Sequence, residues 1–199
     1  MKLRRGLQGI VKTIDRRYLT KVNANPIPGS KLGLLLLCYH PYQAKLPLFL
    51  EEGTVISPGA LIGEFHLSNI RITEIAQESS QRSLEWRLLQ MLKQELTVLA
   101  TACLNGEVRE EVQAFSGTLV LVAGAKRLGF SVVPLSNGWN RWWLGIWESL
   151  LRSIYYSFQT KKKTARSWKL EPSAVWISRS ELVRRYSQAT VATENEKTR

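Results

Sequence analysis

Two cysteines, two histidines and two methionines are all that the 199 residues hold of those types. Cys38 and Cys103 cannot build a disulfide framework, and neither sits in a CxxC pair, so they read as two buried thiols in a reducing compartment. No apolar run approaches the ~20 residues that cross a bilayer. The longest candidate, Leu32 to Tyr39, is strand-sized. The opening Met1-Lys2-Leu3-Arg4-Arg5 looks like the start of a signal peptide, but Lys12, Asp15, Arg16 and Arg17 break the apolar stretch and no small-residue cleavage site closes it. The expectation is therefore a cytoplasmic chain that is not exported. GxGxxG after a strand, a P-loop, GxSxG and HExxH are all missing, and Gly124-Ala125-Lys126 lacks the upstream glycine a P-loop requires. No cofactor is expected from these patterns.

Acidic residues are also scarce, 16 against 28 lysines and arginines, which leaves a net charge of +12. Such an excess implies an anionic partner: lipid, acidic glycopolymer or nucleic acid. With 44% hydrophobic residues there is still enough apolar material for a core.

The hydrophobic spacing alternates between helical and strand periods. Leu3, Leu7, Ile10, Val11, Ile14, Tyr18 and Val22 predict a basic amphipathic helix over residues 1–22, ended by Asn25-Pro26-Ile27-Pro28-Gly29. Short strands follow at Leu32 to Tyr39, Leu46 to Leu50, Thr54 to Ile56 and Leu61 to Leu67, joined by glycine-bearing turns. From Ser80 the stripe Leu84, Leu88, Met91, Leu92, Leu96, Leu99 and Cys103 predicts a long helix that stops at Asn105-Gly106. Glu107, Glu110 and Glu111 suit the start of a shorter helix carrying Val108, Val112 and Phe115. Thr118 to Leu128 is read as helix with Gly129 as its cap, and Phe130 to Leu135 as a strand. Trp139 to Phe158 has one apolar helical face, and Ser178-Arg179-Ser180-Glu181 is a capping box that opens a last helix. The expected fold is α+β: a small antiparallel sheet of four or more short strands covered by three to five helices. Residues 1–187 form one domain, with a polar tail, 188–199, expected to be disordered.

Two constellations carry chemistry. Trp139, Trp143 and Trp147 lie on one face of the 139–158 segment, and Lys161, Lys162, Lys163, Arg166 and Lys169 follow it. Tryptophan prefers the membrane interface and each cation near an anionic leaflet contributes ~1 kcal/mol, so this segment and the first helix suit the inner face of a membrane. The same stripes could instead pack on the sheet. In the second constellation, strand alternation sets Glu64 and His66 on one face, opposite Phe65 and Leu67, with Asn69 just beyond. A carboxylate beside an imidazole can orient a general base, with Arg179 or Arg127 holding an anionic substrate, or it can be a structural pair. Cys38 and His40 share a strand, and His66 could join them from a neighbouring one. A zinc set of Cys38, His40, His66 and Cys103 has suitable ligand types without compact spacing, so no metal is expected. Aromatics among cations (Trp142, Tyr156, Trp168) would suit nucleic acid, but no binding signature accompanies them.

Three stretches taken together resemble a known family: Ile14-Asp15-Arg16-Arg17-Tyr18, the run from Glu52 to Asn69 ending in His66-Leu67-Ser68-Asn69, and Trp176-Ile177-Ser178-Arg179 through Tyr186. With the Arg127 to Phe130 element, their order is similar to the YkoP-like family of Gram-positive bacteria, over about residues 10–187. The resemblance implies His66 and Asn69 as positions of interest, without a catalytic role attached to them. Relatives look to be fused or neighboured with polysaccharide deacetylases and glycosyltransferases, which implies an accessory or binding protein of envelope polysaccharide or glycolipid metabolism, peripheral to the membrane. A hydrolase or transferase acting on an anionic glycan or lipid-phosphate, with His66 as general base and Glu64 or Asn69 orienting it, is the alternative.

Overall fold

In a computed structural model, residues 17, 19–78, 84–119, 122–134 and 173–187 are described. The rest of the stretch expected to form a basic first helix, the Trp-rich segment with the lysine run after it, and the polar tail lie outside them. Among the described residues, residues 17 and 19–21 are helical, and eight strands and four further helices follow in chain order: β1 (Asn25–Pro26), β2 (Leu35–Pro41), β3 (Leu48–Phe49), β4 (Val55–Ile56), β5 (Leu61–Leu67), α1 (Asn69–Glu78), α2 (Leu84–Leu104), β6 (Ala114–Leu119), α3 (Val122–Arg127), β7 (Ser131–Pro134), β8 (Ser173–Ser178) and α4 (179–187). Among the described residues no helix is long and apolar enough to cross a membrane.

Six strands form one sheet in the order β1-β2-β5-β6-β8-β7, and β3 and β4 form a separate hairpin. The α+β expectation is met in outline, but the sheet is larger and mixed rather than antiparallel. β5 and β6 run parallel, with Glu64 opposite Ser116, while the other neighbours are antiparallel. The cause lies in the connection. Parallel neighbours need a long crossover, and α1 and α2 supply it between residues 67 and 114.

The two faces of the sheet carry different side chains. Leu35 and Leu37 of β2, Phe115 of β6 and Val175 and Ile177 of β8 pack against Leu96, Leu99, Ala100 and Cys103 of α2 and Leu182 and Tyr186 of α4. Each aliphatic or aromatic side chain sealed there contributes roughly 1.5–3 kcal/mol. The spacing of Leu96, Leu99 and Cys103 is the stripe expected of the long helix. Gly106, at a φ of 73°, ends that helix, and the Glu107 amide donates back to the Ala102 carbonyl at 2.9 Å. On the opposite face, Leu50 and Ile56 of the hairpin press on Ile62, Ala114 and Trp176.

The short helix expected after Glu107 is instead a turn followed by β6. Val108 and Val112 are buried, but Ala114 to Leu119 pairs with both β5 and β8, and two ladders outweigh local helix preference. Thr118 and Leu119 are strand by pairing with Ala174 and Ser173 of β8, and the helix expected there begins only at Val122. Gly129, at a φ of 86°, follows that helix, and the Phe130 amide donates to the Ala125 carbonyl at 3.1 Å. At α4 the Ser178 hydroxyl accepts from the Glu181 amide at 3.1 Å, which is the capping bond read from the sequence.

Candidate functional site

The polar cluster on the hairpin side of the sheet follows from register. Cys38 sits directly opposite Glu64 across the β2–β5 pair, and His66 is two residues further along β5. Side chains two apart share a face, so all three project from the same surface. Cys38 Sγ lies 3.4 Å from His66 Nε2, and His66 Nε2 lies 3.9 Å from Glu64 Oε2. One donor atom from each of the three falls within 4.8 Å of the other two. His40, also on β2, donates from Nε2 to Glu64 Oε2 at 3.0 Å, and its other ring nitrogen lies 3.0 Å from the Pro41 carbonyl oxygen. Histidine therefore fixes the Glu64 carboxylate from outside the trio.

Burial grades across this cluster. Cys38 is buried, whereas Glu64 and His66 are half-buried, their side chains 33% and 13% exposed. Burial pushes the Cys38 thiol up to about 11, and the Glu64 charge beside it adds to the rise. At neutral pH the group is a thiol, so it does not serve as a free thiolate nucleophile. Burial likewise raises the Cys103 thiol. Cys103 packs in the helix-side core, so the structure brings Cys38, His40 and His66 together and leaves Cys103 on the other side of the sheet. The carboxylate that completes the group is Glu64.

The remaining expected site residues are dispersed. Asn69 is buried as the first residue of α1, directly after Ser68, whose hydroxyl accepts from the Arg71 amide at 3.3 Å. Arg179 is occupied by backbone: it donates to the Cys103 carbonyl and to the Arg109 carbonyl, each at 2.8 Å. Arg127 is exposed at the end of α3. Trp139, Trp143, Trp147, Lys161, Lys162, Lys163 and Arg166 lie outside the described residues.

Two further features had no signal in the sequence. Glu95, in the middle of α2, is buried, and its Oε1 accepts from the Ser30 hydroxyl and the Leu34 amide, both at 2.9 Å, which moors the loop entering β2. A cavity of about 590 Å³ opens where the hairpin turn meets α4, with Glu52, Lys126, Ser131, Glu181 and Arg184 in its wall. Its charges are largely matched. Arg184 binds both Glu181 carboxylate oxygens at 2.7 Å and pulls that carboxyl down to about 2, against the cost of burial and with help from Arg185. Glu52 accepts from the Ser131 hydroxyl at 3.2 Å and the Ser178 amide at 3.3 Å, and Lys126 lies 3.5 Å from Glu51. His66 does not line this cavity.

The exposed apolar surface is concentrated. Five large hydrophobic side chains stand exposed among the described residues, and three of them, Leu46 at 75%, Phe49 at 71% and Val55 at 43%, fall within ten positions of sequence. Phe49 and Val55 are direct cross-strand partners in the hairpin, while their neighbours Leu48 and Ile56, also paired, turn inward to the sheet. The hairpin is thus apolar on both surfaces.

Among known families, the YkoP domain matches residues 4–186. No curated protein and no solved structure matches the chain.

Proposed function

The chain belongs to the YkoP domain family, and on that premise we propose that it is an accessory binding domain that docks on an anionic membrane surface in envelope polysaccharide or glycolipid metabolism. The outward face of the β3–β4 hairpin carries this reading. Scattered exposed apolar residues are ordinary, but Phe49 and Val55 stand side by side with Leu46 close in sequence, on an element whose other face is anchored to the sheet. Inserting such side chains into an interface is favourable by roughly 1.5–3 kcal/mol for each one fully buried. A net charge of +12 adds attraction to anionic lipid, on the order of 1 kcal/mol for each cation that reaches the surface. The envelope context follows the family resemblance set out above.

Flotation with vesicles of phosphatidylglycerol and phosphatidylcholine tests it. The chain is expected to float with anionic vesicles, less so as salt rises, and the double variant Leu46→Ser with Phe49→Ser is expected to remain with the soluble fraction. Failure to float at low salt removes the proposal. Displacement from vesicles by nucleic acid, at equal phosphate, would shift the reading to a nucleic-acid accessory protein.

A hydrolase or transferase acting on an anionic glycan or lipid-phosphate is the second reading. The placement of His66 beside Glu64, 3.9 Å apart on one face of the sheet, favours it, because a carboxylate that closes to hydrogen-bond distance orients an imidazole as base. In this reading His66→Gln abolishes turnover of such a substrate while vesicle binding persists.

A further inference from the structure

We infer that Cys38, Glu64 and His66 form a binding site for a divalent transition-metal ion, zinc by donor type, with His40 holding the carboxylate from outside. The trio supplies one thiolate sulfur, one imidazole nitrogen and one carboxylate oxygen, the donors that zinc takes in proteins. All three come from two paired strands, so a rigid ladder sets their spacing.

The separations fit a single ion. Zinc bonds of about 2.3 Å to sulfur and about 2.0–2.2 Å to nitrogen and oxygen, arranged tetrahedrally, place ligand atoms roughly 3.4–3.6 Å apart. The sulfur and imidazole nitrogen are 3.4 Å apart, the nitrogen and carboxylate oxygen 3.9 Å, and the whole trio lies within 4.8 Å.

The surroundings also suit a metal. Ligating carboxylates are usually themselves hydrogen-bonded, and His40 makes that bond to Glu64 Oε2 at 3.0 Å. Three protein ligands leave the fourth tetrahedral position to water or an incoming ligand, as in sites where metals do chemistry rather than hold a fold together. On binding, the Cys38 S–H bond is replaced by a sulfur–metal bond and the proton passes to solvent, so one proton is released per ion. The site is independent of the lipid-docking hairpin, whose exposed face carries none of these residues.

Cobalt chloride titrated into the full chain, previously stripped by chelator, tests the site. The expected result is one equivalent bound, with a thiolate-to-cobalt charge-transfer band that zinc chloride erases by competition. Cys38→Ser should remove the band, and Glu64→Gln and His66→Gln should each weaken cobalt binding. His40→Ala should keep the band while lowering affinity roughly ten- to a hundred-fold. Cys103→Ser, altered on the opposite face, should behave as the parent. Circular dichroism of each variant separates lost ligation from lost fold, and the Glu64 and His66 variants stand in should Cys38→Ser not fold. Absence of the band in the folded parent chain, its survival in Cys38→Ser, or its loss in folded Cys103→Ser would overturn the assignment. Vesicle flotation is read separately, so either conclusion can fail without the other.

Discussion

The Arg179 guanidinium closes the end of the long helix by donating to the carbonyl of Cys103 at 2.8 Å. A second donor of the same fork reaches the Arg109 carbonyl, and the Arg109 guanidinium lies 5.5 Å from the centre of the Tyr39 ring. The last carbonyls of a helix lack partners within it and carry partial negative charge, so a cation satisfies both needs at once. Arg179→Ala should lower stability by on the order of 1–2 kcal/mol, since charged hydrogen bonds are lost. Arg179→Lys should recover only part, because an ammonium cannot span two carbonyls as a planar fork does. Denaturant midpoints measure both. A loss of vesicle binding without a loss of stability would instead give Arg179 the anion-holding role.

Gly63 leaves room for two large neighbours. A methyl group at its Cα would stand 2.7 Å from Phe115 Cδ1 and 2.9 Å from Leu37 Cδ1. Both side chains belong to the close-packed helix-side core, where neither ring nor leucine can yield freely. Gly63→Ala is expected to cost about 1–3 kcal/mol by overpacking. Thermal unfolding should show the loss, and Phe115→Leu in the same chain should relieve part of it.

Acid sensitivity should trace to Glu181. Its folded pKa is lowered from 4.5 to about 2, first by the Arg184 hydrogen bond and then by Arg185. A depressed carboxyl stabilises the fold above its unfolded pKa, and that contribution disappears as pH falls through the folded value. The stability gap between the parent chain and Glu181→Gln should therefore be full at pH 6 and shrink between about pH 4.5 and pH 2. Urea midpoints across that range test it; a gap that stays constant to pH 2 would deny the arginine pairing its role.

Phe49 should separate folding from function. It is 71% exposed, and substitution of exposed residues usually changes stability by less than about 0.5 kcal/mol. Phe49→Ser should leave the melting temperature almost unchanged and still weaken flotation with anionic vesicles. A large drop in melting temperature would mean that the ring packs in solution and is not held ready for lipid.

Much of the architecture was legible because it is local. The stripe on α2, the turns at Asn105-Gly106 and Gly129, the Leu61 to Leu67 strand and the Ser178 cap each follow from a few adjacent residues. What escaped was set by distant partners. β6 is a strand because β5 and β8 flank it, although its own approach through Glu107, Glu110 and Glu111 suits a helix. β8 and α1 went unassigned, and the parallel pairing depends on a crossover that no local pattern encodes.

The candidate site divides in the same way. Alternation alone put Glu64 and His66 on one face, and the proximity of Cys38 needed only a neighbouring strand. Which strand, and at what register, is a property of the whole sheet. Compact ligand spacing describes metal sites built in a single loop, so it passes over a trio assembled from two strands 26 residues apart at Cys38 and Glu64 (64 − 38 = 26). Arg179 carried no such clue, since a carbonyl-bound arginine and an anion-binding one look alike in sequence.

The position of β8 fixes an order of events during synthesis. This strand lies between β6 and β7, which are not paired with each other and are each paired with it along their length. While residues 173–178 are still inside the ribosome, β7 lacks the strand it pairs with, and β6 lacks its antiparallel partner. The nascent chain can close β2 on β5, add β6 beside β5 and lay down the long helix, but β7 waits for β8, which emerges after every other strand of the sheet. A translational pause ahead of that segment would lengthen the time for which two strand edges stand open to other chains.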